Sequence, residues 1–205
     1  GARFAGADTL GEIAAGALAG IEDLVAQRRP GLVYAYVADL DMTGHSHGVA
    51  SRAWRLQLRF VDQLVEQIVS RLPAGVRCYV TADHGMVDVP PDRRVDVDAD
   101  AELQAGVELF GGEARARYLY VRDGALDDVL ATWRARFGAE AVVCTRDEAV
   151  AAGWFGPVVT DRARPRIGDV VVAPMSDLAF VATKRQPNES RLIGHHGSLT
   201  PAEQL

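Results

Sequence analysis

Leu32-Val33-Tyr34-Ala35-Tyr36-Val37-Ala38-Asp39-Leu40-Asp41-Met42-Thr43-Gly44-His45, residues 32–45, joins a short apolar run to an acid and an imidazole. The run is rich in β-formers without clean alternation, the pattern of a strand covered on both faces. Upstream, Leu10, Ile13, Ala14, Ala17, Leu18, Ile21 and Val25 recur at helical spacing within residues 8–29, and Thr9-Leu10-Gly11-Glu12 reads as a capping box. This predicts an amphipathic helix ending near Pro30-Gly31. Downstream, Trp54, Leu58, Val61, Val65, Ile68 and Leu72 form the stripe of a second helix over residues 51–72, closed by Pro73-Ala74-Gly75. Residues 76–81 repeat the buried-strand pattern and again run into acid and histidine, at Asp83-His84-Gly85. This repeated rhythm of helix, strand and loop predicts a doubly wound α/β fold. In it a mostly parallel sheet carries helices on both faces, and ligands gather beyond the carboxyl ends of the strands.

Residues 90–153 read differently. An acidic passage with Asp96, Asp98, Asp100 and Glu102 precedes a strand at 118–121, a helix at 125–137 and a strand at 141–145, which together predict a small inserted β/α subdomain. The acidic run lacks the ordered alternation of a calcium loop and reads as solvated. Strands at 167–173 and 178–182 return the chain to the core before Ile193-Gly194-His195-His196-Gly197. Thr200-Pro201-Ala202-Glu203 is another capping box with proline at the first helical position, so a helix is expected there. The last residue, Leu205, falls in its first turn, and the expectation is therefore a piece of a longer chain, cut at this end.

With 205 residues, 48% of them hydrophobic, the chain can bury a sizeable core. A net charge of −6 with scattered Lys and Arg gives no nucleic-acid-binding surface. No apolar stretch approaches the ~20 residues of a membrane helix. Cys78 and Cys144 lie in apolar runs outside any paired spacing, so both are expected to be buried free thiols, which leans toward the cytoplasm without fixing the compartment. Trp54 and Trp133 fall on apolar helical faces and read as core, whereas Trp154-Phe155-Gly156 suits either a packed turn or a pocket lining.

All five histidines fall in three clusters: Asp41-Met42-Thr43-Gly44-His45-Ser46-His47-Gly48, Thr81-Ala82-Asp83-His84-Gly85-Met86 and Gly194-His195-His196-Gly197. Imidazole with carboxylate is the ligand mixture that suits zinc and related divalent ions. One Asp-His pair is readily explained as a satisfied polar contact. Three such clusters are not, because each buried carboxylate or imidazole left unsatisfied is costly.

The Asp-x-x-Gly-His-x-x-Gly of residues 41–48, the Ala-Asp-His-Gly-Met of 82–86 and the Gly-x-His-Gly of 194–197 together resemble the alkaline phosphatase superfamily, in its branch of type I phosphodiesterases and nucleotide pyrophosphatases. The resemblance spans nearly the whole chain. It implies an alkaline-phosphatase-like α/β fold and two divalent metal ions, zinc above all. Asp41, His45 and His196 would hold one ion, and Asp83 and His84 part of the other. His47 and His195 match no ligand position and would touch the ligands or the edge of a substrate. In that family an Asp from early in the protein completes the second ion, and a Thr or Ser nucleophile lies between the ions at a helix start. Neither is found here. Thr9 stands at a helix start, but its capping box explains it without chemistry.

The resemblance thus implies part of a catalytic domain of a hydrolase acting on phosphodiester or pyrophosphate bonds, with a small phosphate ester or nucleotide as substrate and a nucleophile from outside this chain. Alternatives within the superfamily are phosphomonoesterase, phosphonate hydrolase, sulfatase and mutase. Another class of reading is a metal-binding domain without catalysis.

Overall fold

The structure, a computed structural model, describes residues 2–204. They divide between Thr81 and Ala82 into two compact units.

The first unit is helical. Helix α1 spans Leu10–Ala26, and its start is the capping box read from the sequence: the Glu12 N–H donates to Thr9 Oγ1, and the Thr9 N–H donates to Glu12 Oε2. Helix α2 (Asp39–His47) was not expected, because residues 39–47 had read as the loop after a strand. Helix α3 (Arg52–Val69) begins where Ser51 Oγ accepts from the Trp54 N–H at 3.0 Å. Its stripe is only partly covered, with Trp54 half-buried rather than core and Leu58 exposed, and the buried residue of the helix is Leu64, outside the stripe.

The two buried strands expected at 32–37 and 76–81 are the main departure. Both stretches carry no strand, and Leu32, Tyr34, Tyr36, Tyr79 and Val80 are exposed. Strand preference measures fit to a half-buried pleated surface. The first unit supplies no such surface, since every sheet among the described residues lies in the second. Cys78, expected to be buried, is exposed for the same reason, while Cys144 is buried and both are free.

The second unit holds the strands. Its elements are β1 (Val87–Asp88), β2 (Arg94–Asp96), α4 (Ala101–Gln104), β3 (Val107–Glu113), β4 (Ala116–Val121), α5 (Leu126–Phe137), β5 (Ala141–Thr145), α6 (Arg146–Ala151), β6 (Val170–Pro174), β7 (Ala179–Val181) and β8 (Gly194–His195). The α/β class stands. Its parallel component is the β2–β7 pair, whereas the four-stranded sheet, in order β3-β4-β6-β5, is antiparallel throughout. A hairpin as tight as that between β3 and β4 can only be antiparallel. Its turn is Ala114-Arg115, and within β3 Gly112, at φ +69° and close against Ala116 O, leaves no room for a side chain. Strand β6 sits between β4 and β5, so the strand read as a return to the core pairs with both strands read as an insert.

Every residue of β6 is buried, as a central strand with both faces covered requires. One face meets α5, whose Val129, Leu130, Trp133 and Phe137 pack with Leu119, Val170, Val172 and Phe180. Trp133 is the hub of the aromatic contacts, with ring centroids 6.1 Å from Phe110, 5.6 Å from Phe137 and 5.1 Å from Phe180. The other face packs Val171 with Cys144, Ala149 and Ile167, and against these lie Trp154 and Phe155, a packed turn in which Phe155 meets Tyr118 edge-on.

Several charges are buried among these layers. Arg117, fully buried on β4, donates to Phe180 O, Gly112 O and Gln186 Oε1, and burial pulls its pKa down. Asp98 is not solvated as the sequence suggested. It is buried and accepts from the Lys184 and Arg185 N–H groups and the Arg185 guanidinium.

Candidate metal centre

Helix α2 carries two of the expected ligands. Asp41 and His45 stand one turn apart and therefore on one face, with Asp41 Oδ2 3.3 Å from His45 Nε2. Asp39 and Asp41 lie in the first turn, where carboxylates complement the helix dipole, and His45 and His47 lie in the last. Gly48, at φ +82°, ends the helix with its N–H donating to Gly44 O. His47 is exposed on a different face of the helix from His45.

In the second unit, the pairing of β1 with β8 sets Val87 opposite His195 and brings their flanking loops together. His84 and His196 consequently stack, with ring centroids 3.6 Å apart and planes 16° from parallel. Side chains alternate along a strand, so His195 is turned the other way. It is buried, with Nε2 3.1 Å from Leu192 O. His84 Nδ1 lies 2.9 Å from Gly85 O, which leaves Nε2 facing Asp83, 3.7 Å from Oδ1. His196 Nδ1 lies 3.5 Å from Glu113 Oε2, a neighbour that no local pattern signals. A carbonyl or carboxylate on one ring nitrogen is the arrangement that orients the other nitrogen toward a metal. The sequence-predicted residues thus form one pair in the first unit and a group of three, Asp83, His84 and His196, in the second.

The expected helix at Thr200 is a turn. Glu203 does not reach back to the Thr200 N–H as a capping box requires. Its carboxylate goes inward to Arg115, with Nε–Oε1 and Nη2–Oε2 both 2.7 Å. Burial raises the Glu203 pKa, but hydrogen bonds from Arg115, Thr200 and the Ser198 N–H outweigh it and hold the carboxyl below its ordinary 4.5. Asp98 is likewise held below 3.8, where the Arg185 and Lys184 contacts outweigh burial. A lowered folded-state pKa means that the unfolded chain binds more protons in acid. The stability these groups contribute is therefore present above the ordinary carboxylate pKa and is lost as pH falls through the lowered values. The urea midpoint of the second unit should be flat from about pH 7 to about pH 5 and fall steeply below about pH 4. A flat profile to pH 3 would show that these carboxylates are not held in the folded state.

Thr9 is the one hydroxyl at a helix start that the sequence offered as a nucleophile, and its oxygen is occupied as the cap of α1. Thr9→Ala should cost about 1 kcal/mol of stability, the usual worth of such a cap, and leave turnover by the full-length protein unchanged. A kinetic defect without loss of stability would reverse that assignment.

The fold is of alkaline-phosphatase type. The chain superposes over 94% of its length on human ectonucleotide pyrophosphatase / phosphodiesterase 5, with a TM-score of 0.69 and 16% identity. An inactive form of the murine protein in complex with AMP matches over 94%, with a TM-score of 0.64 and 18% identity. Phosphonoacetate hydrolase from Sinorhizobium meliloti 1021 matches over 96%, with a TM-score of 0.62 and 17% identity. In each case the chain spans about half of its neighbour, 49%. A search of curated proteins finds no match. The chain belongs to the type I phosphodiesterase / nucleotide pyrophosphatase family, whose profile matches residues 5–199. This is a family of metal-dependent hydrolases. Among the described residues no helix is long and apolar enough to cross a membrane.

Proposed function

We propose that this chain supplies the metal-binding part of a hydrolase of phosphodiester or pyrophosphate bonds. In this reading Asp41, His45 and His196 hold one divalent ion, and Asp83 and His84 hold part of a second. The observation that carries it is the family match over residues 5–199, which contains all three histidine clusters in order. The donor set fits the ions: imidazole and carboxylate suit zinc, and Asp41 with His45 one turn apart on α2 makes a ready pair. His84 and His196 each have Nδ1 turned to an oxygen, the kind of contact that orients an imidazole ligand.

What two such ions would supply is Lewis-acid polarisation of the phosphoryl oxygens and stabilisation of charge on the attacking and leaving oxygens. The chain's own part is positioning. Helix α2 holds Asp41 and His45 rigidly, and the β1–β8 pair sets the loops that bear His84 and His196. Thr9 is a cap, so the attacking hydroxyl is assigned to no residue of this chain. The substrate class is a small phosphate ester or nucleotide, in keeping with the AMP complex of the murine neighbour. Phosphonate hydrolysis is a second reading, favoured by the likeness to phosphonoacetate hydrolase.

A full-length protein assayed with a nitrophenyl nucleotide and with phosphonoacetate separates the two. The first reading expects turnover of the nucleotide diester and none of phosphonoacetate. The reverse result establishes the second.

A further inference from the structure

Glu203 is a fully buried carboxylate that the proposed chemistry does not use, yet its contacts lead to both ligand-bearing loops of the second unit. Oε1 accepts from Arg115 Nε and, at 3.2 Å, from the N–H of Ser198, two residues beyond His196. Oε2 accepts from Arg115 Nη2 and from the Thr200 hydroxyl. The Glu203 carbonyl accepts, at 2.9 Å, from the N–H of Gly85, the residue after His84. The approach is so close that a Cβ on Gly85 would lie 2.1 Å from Ala202 O. Arg115 makes the arrangement rigid, because its Nη1 is anchored on Ser176 O at 2.8 Å and on Leu178 O at 2.7 Å.

These loops are also tied by the β1–β8 ladder, which is only two residues long on each strand and is extended by the Val89 N–H donating to Ile193 O at 3.0 Å. So short a ladder is marginal by itself and leaves the spacing of the loops loosely set. Glu203 supplies a further tie: its side chain fixes the loop after His196 and its backbone the residue between His84 and β1.

We propose that Glu203 is a positioning residue that sets His84 against His196 and so governs how tightly this unit receives divalent ions. The proposal rests on the reading of those histidines as metal ligands. Losing an outer partner of a ligand typically weakens metal affinity about 10–100-fold.

The test measures zinc affinity by competition with a chromophoric chelator, on full-length protein stripped of metal, together with circular dichroism and the urea midpoint. Three variants are compared: E203Q, T200V and H196A. E203Q should stay folded and bind zinc about 10–100-fold more weakly. T200V removes one donor to Glu203 and leaves Arg115 in place, so it should shift affinity the same way by a few-fold. A merely structural role would lower the urea midpoint and leave the zinc affinity of the folded protein at the wild-type value. That result in E203Q, or in T200V if E203Q does not fold, overturns the proposal provided that H196A weakens zinc binding. Wild-type affinity in H196A itself would overturn the ligand reading on which the proposal stands.

Discussion

Arg115→Met should destabilise the second unit by about 3–5 kcal/mol, the usual cost of removing one partner of a buried ion pair. The guanidinium is fully buried, as is the Glu203 carboxylate that it meets through two parallel hydrogen bonds. Its remaining donors satisfy the carbonyls of Ser176 and Leu178. Methionine fills much of the volume but leaves a buried carboxylate without its cation and two carbonyls without donors. Replacing both partners, Arg115→Met with Glu203→Leu, should recover part of the loss, because no unpaired charge then remains. Recovery stays incomplete, since the Ser176 and Leu178 carbonyls and the Ser198 N–H do not regain their partners. Urea unfolding of the three variants measures this. A single-mutant cost under about 1 kcal/mol would mean that the pair is hydrated in solution.

His45→Ala should lower turnover by the full-length protein at least about 100-fold, the upper end of what losing a ligand's outer partner costs. The fold should not suffer, because His45 lies near the end of α2, and alanine is the best helix former. The substitution removes the imidazole that stands one turn from Asp41. Metal content should fall with activity, and raised zinc concentration should restore part of both if the remaining ligands still form a site. Wild-type kinetics in this variant would remove α2 from the metal centre.

The sequence was most informative where one local rule acts alone. Thr9-x-x-Glu12 and Ser51 set the starts of α1 and α3, and β4, α5 and β5 lie within two residues of where their patterns predict. Helix α2 was missed because the glycine and polar residues of 39–48 read as loop, although the i, i+4 spacing of Asp41 and His45 was the available signal. Strand β3 was missed because glycines at 111 and 112 weaken its strand pattern. The apolar runs at 32–37 and 76–81 show the opposite failure. Their pattern reports what the side chains would gain from burial, and burial also needs neighbouring strands, which lie outside any local window. Arg115, Arg117 and Glu203 were silent for a related reason: a charged side chain reads as surface until its partner, 88 residues away for Arg115 and Glu203, is known. The candidate ligands were legible because acid, imidazole and glycine recur together. The groups that hold those ligands in place were not.

The most direct test of the central claim is the metal content of purified full-length protein, measured beside its hydrolysis of a nitrophenyl nucleotide before chelation, after chelation and after zinc is restored. The account predicts two ions per chain, loss of both metal and turnover with chelator, and recovery of both with zinc. Undiminished turnover by protein shown to be free of metal would contradict it.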